Sequence, residues 1–574
     1  MTVLDRRIGA LLIAFVVLLG VGLIRAAYLE SFMSGTLERA AAVQQVARVP
    51  VPAPRGAITD RDGIELASSE SADDVIADPY LITAKGDPQK IAAQLAPLLG
   101  QPLLTVLVAI TRPNTGFVRL AHLLPADRAT EIQQLGINGI NLVPDMMRVY
   151  PRGSEASQVL GFVGFNGRGA DGLEYEYNSV LQGTNGVRKV VNDGHGHAIS
   201  VAEVRSARPG KTVALTIDSA LQAEMEQVLA GVGAQYSPVG ATAIAVDPNT
   251  GAILGLANWP STNPNDPLPA GEPSATAMKA WEDQAVGLSY EPGSTFKAIT
   301  VAGALQDGVI TPSSEFDIPP VLQVADREIH DADDHGYETL TVAQILKVSS
   351  NIGAVKIGML LGAQRFDYWV RRFGFGSPTG VDLPGEQPGI VRHWWQYSGS
   401  SMANLPFGQG ESVTPMQMVA AYDAIANGGI LRAPHIVQAI GGKAVPVPAG
   451  HQIMSPAVAL DLREMLRGVF ADGGTASGAA IRGYDLAGKT GTANIAVDGQ
   501  YSDSAYVASF IGMVPTVHPK LLVAVVVDQP QGSIFGGSVA APAFQKIVGW
   551  AVPYFGIAPC PDPCPASVFD APVP

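Results

Sequence analysis

Three short stretches of this 574-residue chain hold residues that could do chemistry together. The first is Ser294-Thr295-Phe296-Lys297, entered through Glu291-Pro292-Gly293. Pro-Gly halts whatever precedes it and apolar residues come after, so the pattern predicts a helix starting near Ser294. Positions i and i+3 share a helical face, which lets Ser294 Oγ and the Lys297 amine meet. A serine alone is a poor nucleophile and needs an adjacent base. A lysine becomes that base only when burial or a neighbouring cation lowers its pKa. The second stretch is Ser349-Ser350-Asn351, and the third is Lys489-Thr490-Gly491-Thr492. Lys489 could supply the cation that depresses Lys297. Thr490 and Thr492 flank Gly491 on an expected edge strand, where a missing side chain lets a ligand backbone approach. Either of the first two patterns is expected roughly once in a chain of this size, and K-T-G in about one chain in ten. The ordered set, with Ser294 at a helix start and Lys489 before a strand, is far more specific than any member.

The elements that must position these groups lie in the second half of the chain. Val213–Ile217 reads as a strand, with Asp218 or Ser219 able to cap the helix after it. Residues 241–247 and 252–257 form a hairpin around Pro248-Asn249-Thr250-Gly251. Long helical stretches continue as far as Asn427, where Gly428 and Gly429 stop the last of them. A further helix spans 456–470, and strands return at 504–513 and 521–528. Early and late strands with helices between them predict one antiparallel sheet with helices packed on it.

The first half carries an anchor and a mixed region. Ile8 to Ile24 is an uncharged run of 17 residues, and Ala26, Ala27 and Tyr28 extend it if Arg25 snorkels. Arg6 and Arg7 precede the run, which keeps the short N-terminus cytoplasmic and the remainder outside. The run gives way to R-A-A-Y-L-E-S-F rather than to a clean cleavage site, so an anchor is favoured over a signal peptide. Residues 31–47 look like a helical polar stalk, broken by Pro50, Pro52 and Pro54. In R-G-A-I-T-D-R-D-G at 55–63, Arg55 and Asp60 can pair across a turn, and Asp62-Gly63 suits a hairpin. Asp87 to Leu99 has helical spacing, and Asp171-Gly172-Leu173-Glu174 opens a helix through Leu181.

A net charge of -15 and the absence of any Lys/Arg run exclude the usual nucleic-acid binder. The only cysteines, Cys560 and Cys564 in C-P-D-P-C, exclude a disulfide framework for the body of the protein; a single small disulfide and two unpaired thiols both stay open. His195 and His197 read as solvated residues of a Gly-rich turn. His330-Asp331-Ala332-Asp333-Asp334-His335 has the composition of a metal cluster, but acids and histidines adjacent in a loop are usually solvated, and no metal is expected there.

Y-E-P-G-S-T-F-K at 290–297, V-S-S-N-I-G at 348–353 and A-G-K-T-G-T-A at 487–493 resemble the motifs of penicillin-binding transpeptidases, a trio shared with class A β-lactamases. R-G-A-I-T-D-R-D-G and D-G-L-E resemble the pedestal of the class B members, and F-G-Q-G-E-S-V-T-P-M-Q-M at 407–418 resembles the family's helix after the S-x-N region. The resemblance runs from the anchor to about residue 556. It implies an α+β fold: a five-stranded antiparallel sheet flanked by helices, with an all-helical subdomain, behind a single transmembrane helix and an extended mixed α/β pedestal. The implied layout is a cytoplasmic N-terminus at 1–7, an anchor at 8–28, a pedestal at 29–210, a transpeptidase domain at 211–556 and a Pro-rich tail at 557–574.

The same resemblance implies that Ser294 attacks the carbonyl of a D-Ala-D-Ala stem peptide and Lys297 takes its proton. Ser349 relays a proton to the departing D-Ala, Asn351 holds Lys297 and the substrate amide, and Lys489 contributes positive charge. Thr490 and Thr492 bind the substrate carboxylate beside Gly491, and the N–H groups of Ser294 and Thr492 form an oxyanion hole. No cofactor and no metal are implied. β-Lactams are the expected inhibitors, and a SEDS-family glycosyltransferase with other divisome membrane proteins the expected partners. V-V-V-D-Q-P-Q-G at 525–532 and F-G-G-S-V-A-A-P-A-F at 535–544 look like the division type; an elongation-type transpeptidase, a D,D-carboxypeptidase and a β-lactamase-like hydrolase are the alternatives. The expected location is the cell (inner) membrane, single-pass, with the catalytic domain in the periplasm.

Overall fold

The computed structural model describes residues 3–32, 46–192, 198–266, 275–497, 500–561, 564 and 566–569. The chain gathers into two compact units, each assembled from separated stretches: 1–55, 70–147 and 183–210 in the first, and 56–69, 148–182 and 211–574 in the second.

In the second unit five strands form one antiparallel sheet: β1 (Gly240–Asp247), β2 (Ala252–Trp259), β3 (Ala487–Val497), β4 (Gln500–Val514) and β5 (Leu521–Asp528). Their spatial order is β2-β1-β5-β4-β3, so β5 is central and β3 lies on an edge. Every residue of β5 is buried, because both faces of the sheet are covered. Val523, Val525 and Val527 share a core with Leu221, Met225 and Phe544 of two helices, α1 (Ser219–Tyr236) and α7 (Gly536–Tyr554). Leu522, Ala524 and Val526 share another with residues of α2 (Lys297–Gln306), α5 (Pro415–Ala426) and α6 (Pro456–Arg467). Alternation along an extended strand is what sends successive valines into two different cores.

Local signals set the helix starts. Asp218 accepts from the N–H groups of Ala220 and Leu221 at the head of α1. Thr414 and Gln417 form a capping box at the head of α5, with Pro415 in the first turn. The helical half is less continuous than its sequence suggests: antiparallel pairs join Glu315–Ile318 to Glu338–Thr341 and Leu322–Val324 to Arg327–Ile329. Between residues 373 and 414 the described helical structure is limited to short 3-10 turns.

Ile58–Thr59 pairs with Ala67 and Glu65 across a turn in which Gly63 has φ +89°, the expected hairpin. The Asp60 carboxylate accepts from the N–H groups of Asp62 and Ile64 and from Ser219 Oγ at 2.7 Å. Asp171 caps the Gly172–Glu176 helix, and the helical run breaks at Tyr177 before resuming at Asn178–Leu181. Glu174 is buried and receives a 2.6 Å hydrogen bond from Arg148 Nε, whose guanidinium also donates to the Gly56 carbonyl. Cys560 and Cys564 are joined as a disulfide. Beyond it, Ser567 Oγ donates to the Glu464 carbonyl.

In the first unit a helix spans Val3–Phe32, and its stretch Arg7–Ser31 is long and apolar enough to cross a membrane. Of the expected stalk helix, residues 33–45 lie outside the described residues, as do His195 and His197. Val46 and Ala47 belong to a strand, Val46–Val51, paired antiparallel with Gly186–Asn192. That strand is an edge, which accommodates Pro50 where a central strand would not. A separate core of Val75, Ile82, Leu95, Val106, Leu120 and Ile132 holds this unit's helices on its strands, and the expected helix forms over Pro88–Leu99, with Asp87 as its cap rather than its first residue.

Candidate active site

The chain enters the site through a 3-10 turn, Gly293–Phe296, that runs into α2. Gly293 has φ +56°, and a Cβ there would lie 2.9 Å from the Thr492 carbonyl oxygen, so the turn and strand β3 meet only because residue 293 is glycine. Ser294 sits on this turn, half-buried. One turn on, Lys297 is fully buried, because α2 runs through the core.

Two further helices bring the second motif in. α3 (Val342–Val348) ends at Ser349, whose φ of +64° is left-handed, an unusual conformation for a residue with a side chain. Ser350 then caps α4 (Asn351–Leu361) through the Gly353 N–H. This tight reversal aims Ser349 and Asn351 at the lysine. Lys297 Nζ donates to the Ser349 carbonyl, to Ser349 Oγ at 3.1 Å and to Asn351 Oδ1 at 2.8 Å. Lys489 Nζ, equally buried, donates to the same Ser349 Oγ at 2.8 Å and to the Thr490 carbonyl at 3.1 Å. Two buried amines therefore converge on one serine hydroxyl.

Burial governs the charge of both. It pulls Lys297 down to about 7, against the Asp331 carboxylate, which pushes the other way. Burial, and then the charge of Lys297, hold Lys489 well below an ordinary lysine. Desolvation, rather than Lys489, is thus the main cause at Lys297.

The third motif lies within β3 at the edge of the sheet, as expected for Thr490, Gly491 and Thr492. A Cβ at Gly491 would lie 2.3 Å from Ser509 Oγ and 3.0 Å from Thr295 Cγ2, so glycine lets the edge strand close on the Ser294 turn. Thr490 is buried with its hydroxyl 2.8 Å from Thr475 Oγ1. The half-buried Thr492 accepts from the Gly536 N–H through its hydroxyl.

The structure brings together Lys297, Ser349, Asn351 and Lys489 by direct hydrogen bonds, with Thr490 attached through Lys489. Ser294 stands apart in one respect: among the described residues its hydroxyl makes no hydrogen bond. The Lys297 amine, one turn along, is turned toward Ser349 and Asn351 and must exchange one of these contacts to reach Ser294. Such bonds are commonly looser before substrate arrives.

The loop of histidines and acids at 330–335 is not uniformly solvated. Asp331 has a side chain only 10% exposed. It accepts from Ser350 Oγ at 2.6 Å and from the N–H groups of Asn351 and Ile352 at 2.5 and 2.9 Å. The His330 carbonyl accepts from Asn351 Nδ2 at 2.9 Å. Sequence reasoning missed Asp331, and with it Thr475 and Tyr422, whose phenol donates to the Thr295 carbonyl at 2.7 Å. The only signal for Asp331 was its type, a short acid suited to helix starts; its target lies 20 residues away.

The chain is similar to known proteins over most of its length. The family model "Penicillin binding protein transpeptidase domain" matches residues 241–549, and "Penicillin-binding Protein dimerisation domain" matches residues 50–215. Stage V sporulation protein D of Bacillus subtilis is 33% identical over 574 residues, covering 97% of this chain and 87% of that protein. The peptidoglycan D,D-transpeptidase FtsI of Escherichia coli K12 is 32% identical over 559 residues, covering 96% of this chain and 91% of that one. Among solved structures, penicillin binding protein 3 of the tubercle mycobacterium, complexed with ampicillin, superposes with a TM-score of 0.70 at 27% identity, covering 92% of this chain and all of that one.

Proposed function

From a chain that belongs to the class B penicillin-binding transpeptidases, we propose a serine acyl-enzyme that cross-links stem peptides at the division septum. The coarser activity, peptidoglycan D,D-transpeptidase, goes with the family. The observation that carries the finer reading is the convergence of the Lys297 and Lys489 amines on Ser349 Oγ, beside Ser294.

In this reading Ser294 Oγ attacks the carbonyl of the penultimate D-Ala while Lys297 Nζ takes the hydroxyl proton. A lysine lowered to about 7 offers roughly a thousandfold more free base at neutral pH than an unperturbed one. The tetrahedral oxyanion is held by the N–H groups of Ser294 and Thr492. Ser349 Oγ, hydrogen-bonded to both amines, hands its proton to the leaving D-Ala nitrogen as the C–N bond breaks and takes in its place the proton that Lys297 received from Ser294. Lys489, Thr490 and Thr492 receive the substrate's terminal carboxylate along the edge strand, and Gly491 leaves room for its backbone. An amine from a second stem peptide then attacks the ester and releases Ser294. β-Lactams would acylate Ser294 by the same route; the mycobacterial relative has been solved with ampicillin and aztreonam.

Residues 29–210 would act as pedestal, 211–556 as the catalytic domain, and the apolar helix as a single-pass anchor with the catalytic domain in the periplasm. The chain carries one transpeptidase constellation, so nascent glycan would come from a membrane partner of the SEDS glycosyltransferase type. The resemblance of the tail from Val525 to Phe544 to the division type favours the septum. Three measurements test these statements. Fluorescent penicillin should label the wild type and not Ser294→Ala or Lys297→Ala, each still folded by circular dichroism; labelling of either variant defeats the site assignment. Protease added to spheroplasts should degrade all but the N-terminal segment, and a protected catalytic domain would reverse the topology. Depletion should give filaments; swollen round cells that still divide would point to elongation.

A further inference from the structure

We propose that Asp331 is a positioning residue for the reaction and that His335, its ion-pair partner, couples the site to external pH. The loop from His330 grips Asn351 from two sides: the His330 carbonyl takes its side-chain amide and the Asp331 carboxylate takes its main-chain N–H. With Nδ2 committed, Asn351 Oδ1 is left facing Lys297 Nζ. Asp331 also binds the hydroxyl of Ser350 and the N–H of Ile352, so one carboxylate ties down the first turn of α4, where the helix dipole favours a negative charge. The same charge acts on Lys297, opposing the effect of burial.

His335 stands on the outer side of this carboxylate. Its Nδ1 donates to the Gly336 carbonyl at 2.7 Å, so a neutral ring turns the lone pair of Nε2 toward Asp331 Oδ2, 3.2 Å away. Only the protonated ring offers a charge of the right sign there. Glu338 lies 3.7 Å from Nδ1, and on the inner side Lys297 faces Asp331; His330, 4.0 Å from Glu328, and the carboxylates of Asp333 and Asp334 are the other titratable groups of the loop. Partial burial draws His335 down, but the Gly336 bond and the carboxylates of Asp331 and Glu338 outweigh it and hold the imidazole above its ordinary value. As pH falls, His335 gains a proton and offsets the charge of Asp331. That weakens the field favouring protonated Lys297, so the base stays available further into the acid range.

This inference rests on Lys297 being the base, and the test separates the two. The rate of acylation by fluorescent penicillin would be measured from pH 5 to 8.5 on the full chain in detergent, for wild type, Asp331→Asn, His335→Gln and Lys297→Ala. Asp331→Asn keeps the shape and removes the charge, so its acid limb should move to lower pH. His335→Gln leaves Asp331 without its cation, so its limb should move to higher pH; at pH 6 the two variants, each relative to its own plateau, should differ several-fold in opposite directions from wild type. A purely structural loop would lower plateau rates and leave both limbs in place, and that result, or shifts in the same direction, overturns the proposal. Should Asp331→Asn not fold, an unmoved limb in His335→Gln is sufficient to overturn it. Normal acylation by Lys297→Ala would instead overturn the base assignment itself.

Discussion

Replacing Lys297 with methionine should abolish acylation and, at neutral pH, relieve the folded state of a charge burden that can be measured. The native amine is fully buried and lowered to about 7, whereas in the unfolded chain it titrates near 10.4. Between those values the unfolded state binds a proton that the folded state does not, so stability rises with pH across that window, by about 1.4 kcal/mol per unit. Below about 7 both states carry the proton, and the penalty is constant and largest, roughly 4–5 kcal/mol. Methionine has no such term. It also deletes three hydrogen bonds, each leaving an acceptor at a cost of about 1–3 kcal/mol. These losses offset much of the gain but do not depend on pH. The informative quantity is therefore the stability difference between variant and wild type as a function of pH. Thermal unfolding in detergent at pH 7.5, 8.5 and 9.5 should show methionine losing ground to lysine by about 1.4 kcal/mol at each step. A difference that stays constant over this range would mean that Lys297 is charged in the folded protein, and the base assignment would fall with it.

Gly491→Ala should reduce acylation by about a hundredfold with the fold intact, because its Cβ would sit 2.3 Å from Ser509 Oγ and drive β3 off the Ser294 turn, and displacements of an ångström have that effect; a rate within threefold of wild type refutes this reading of the edge strand. Arg148→Met should lower stability by about 3–5 kcal/mol, since it removes one partner of the buried Arg148–Glu174 ion pair; restoration by the double change with Glu174→Gln is the check, and its failure would place the cost elsewhere.

The parts of this architecture set by local rules were legible in the sequence. Asp87, Asp171 and Asp218 all cap the helices they precede, and the hairpin of β1 and β2 spans its Pro-Asn turn. The placement of Ser294 at a helix start and of the K-T-G motif near a strand came from Pro292-Gly293 and from the polar-apolar pattern after it. What escaped is long-range. Nothing near Asp331 announces that it will cap a helix beginning at Asn351, because the loop between them must fold first. The left-handed Ser349 gives no sign of itself either, since serine is an ordinary residue whose φ is imposed by α3 ending against α4. The end of the stalk escaped for a related reason: Val46 and Ala47 open an edge strand whose partner, Gly186–Asn192, is distant in the chain.

The strand order of the catalytic sheet has a consequence for how the protein is made. β1 and β2 emerge early, but the strand that lies beside β1 is β5, whose first residue comes about 270 residues later. At the ordinary pace of translation, about 5–20 residues per second, that interval is of order tens of seconds. Throughout it the hairpin keeps an open backbone edge where β5 will pair, a feature that seeds aggregation. The delay also means that Ser294 is synthesised long before β3 exists to close on its turn, so the candidate site assembles only once that strand has been delivered.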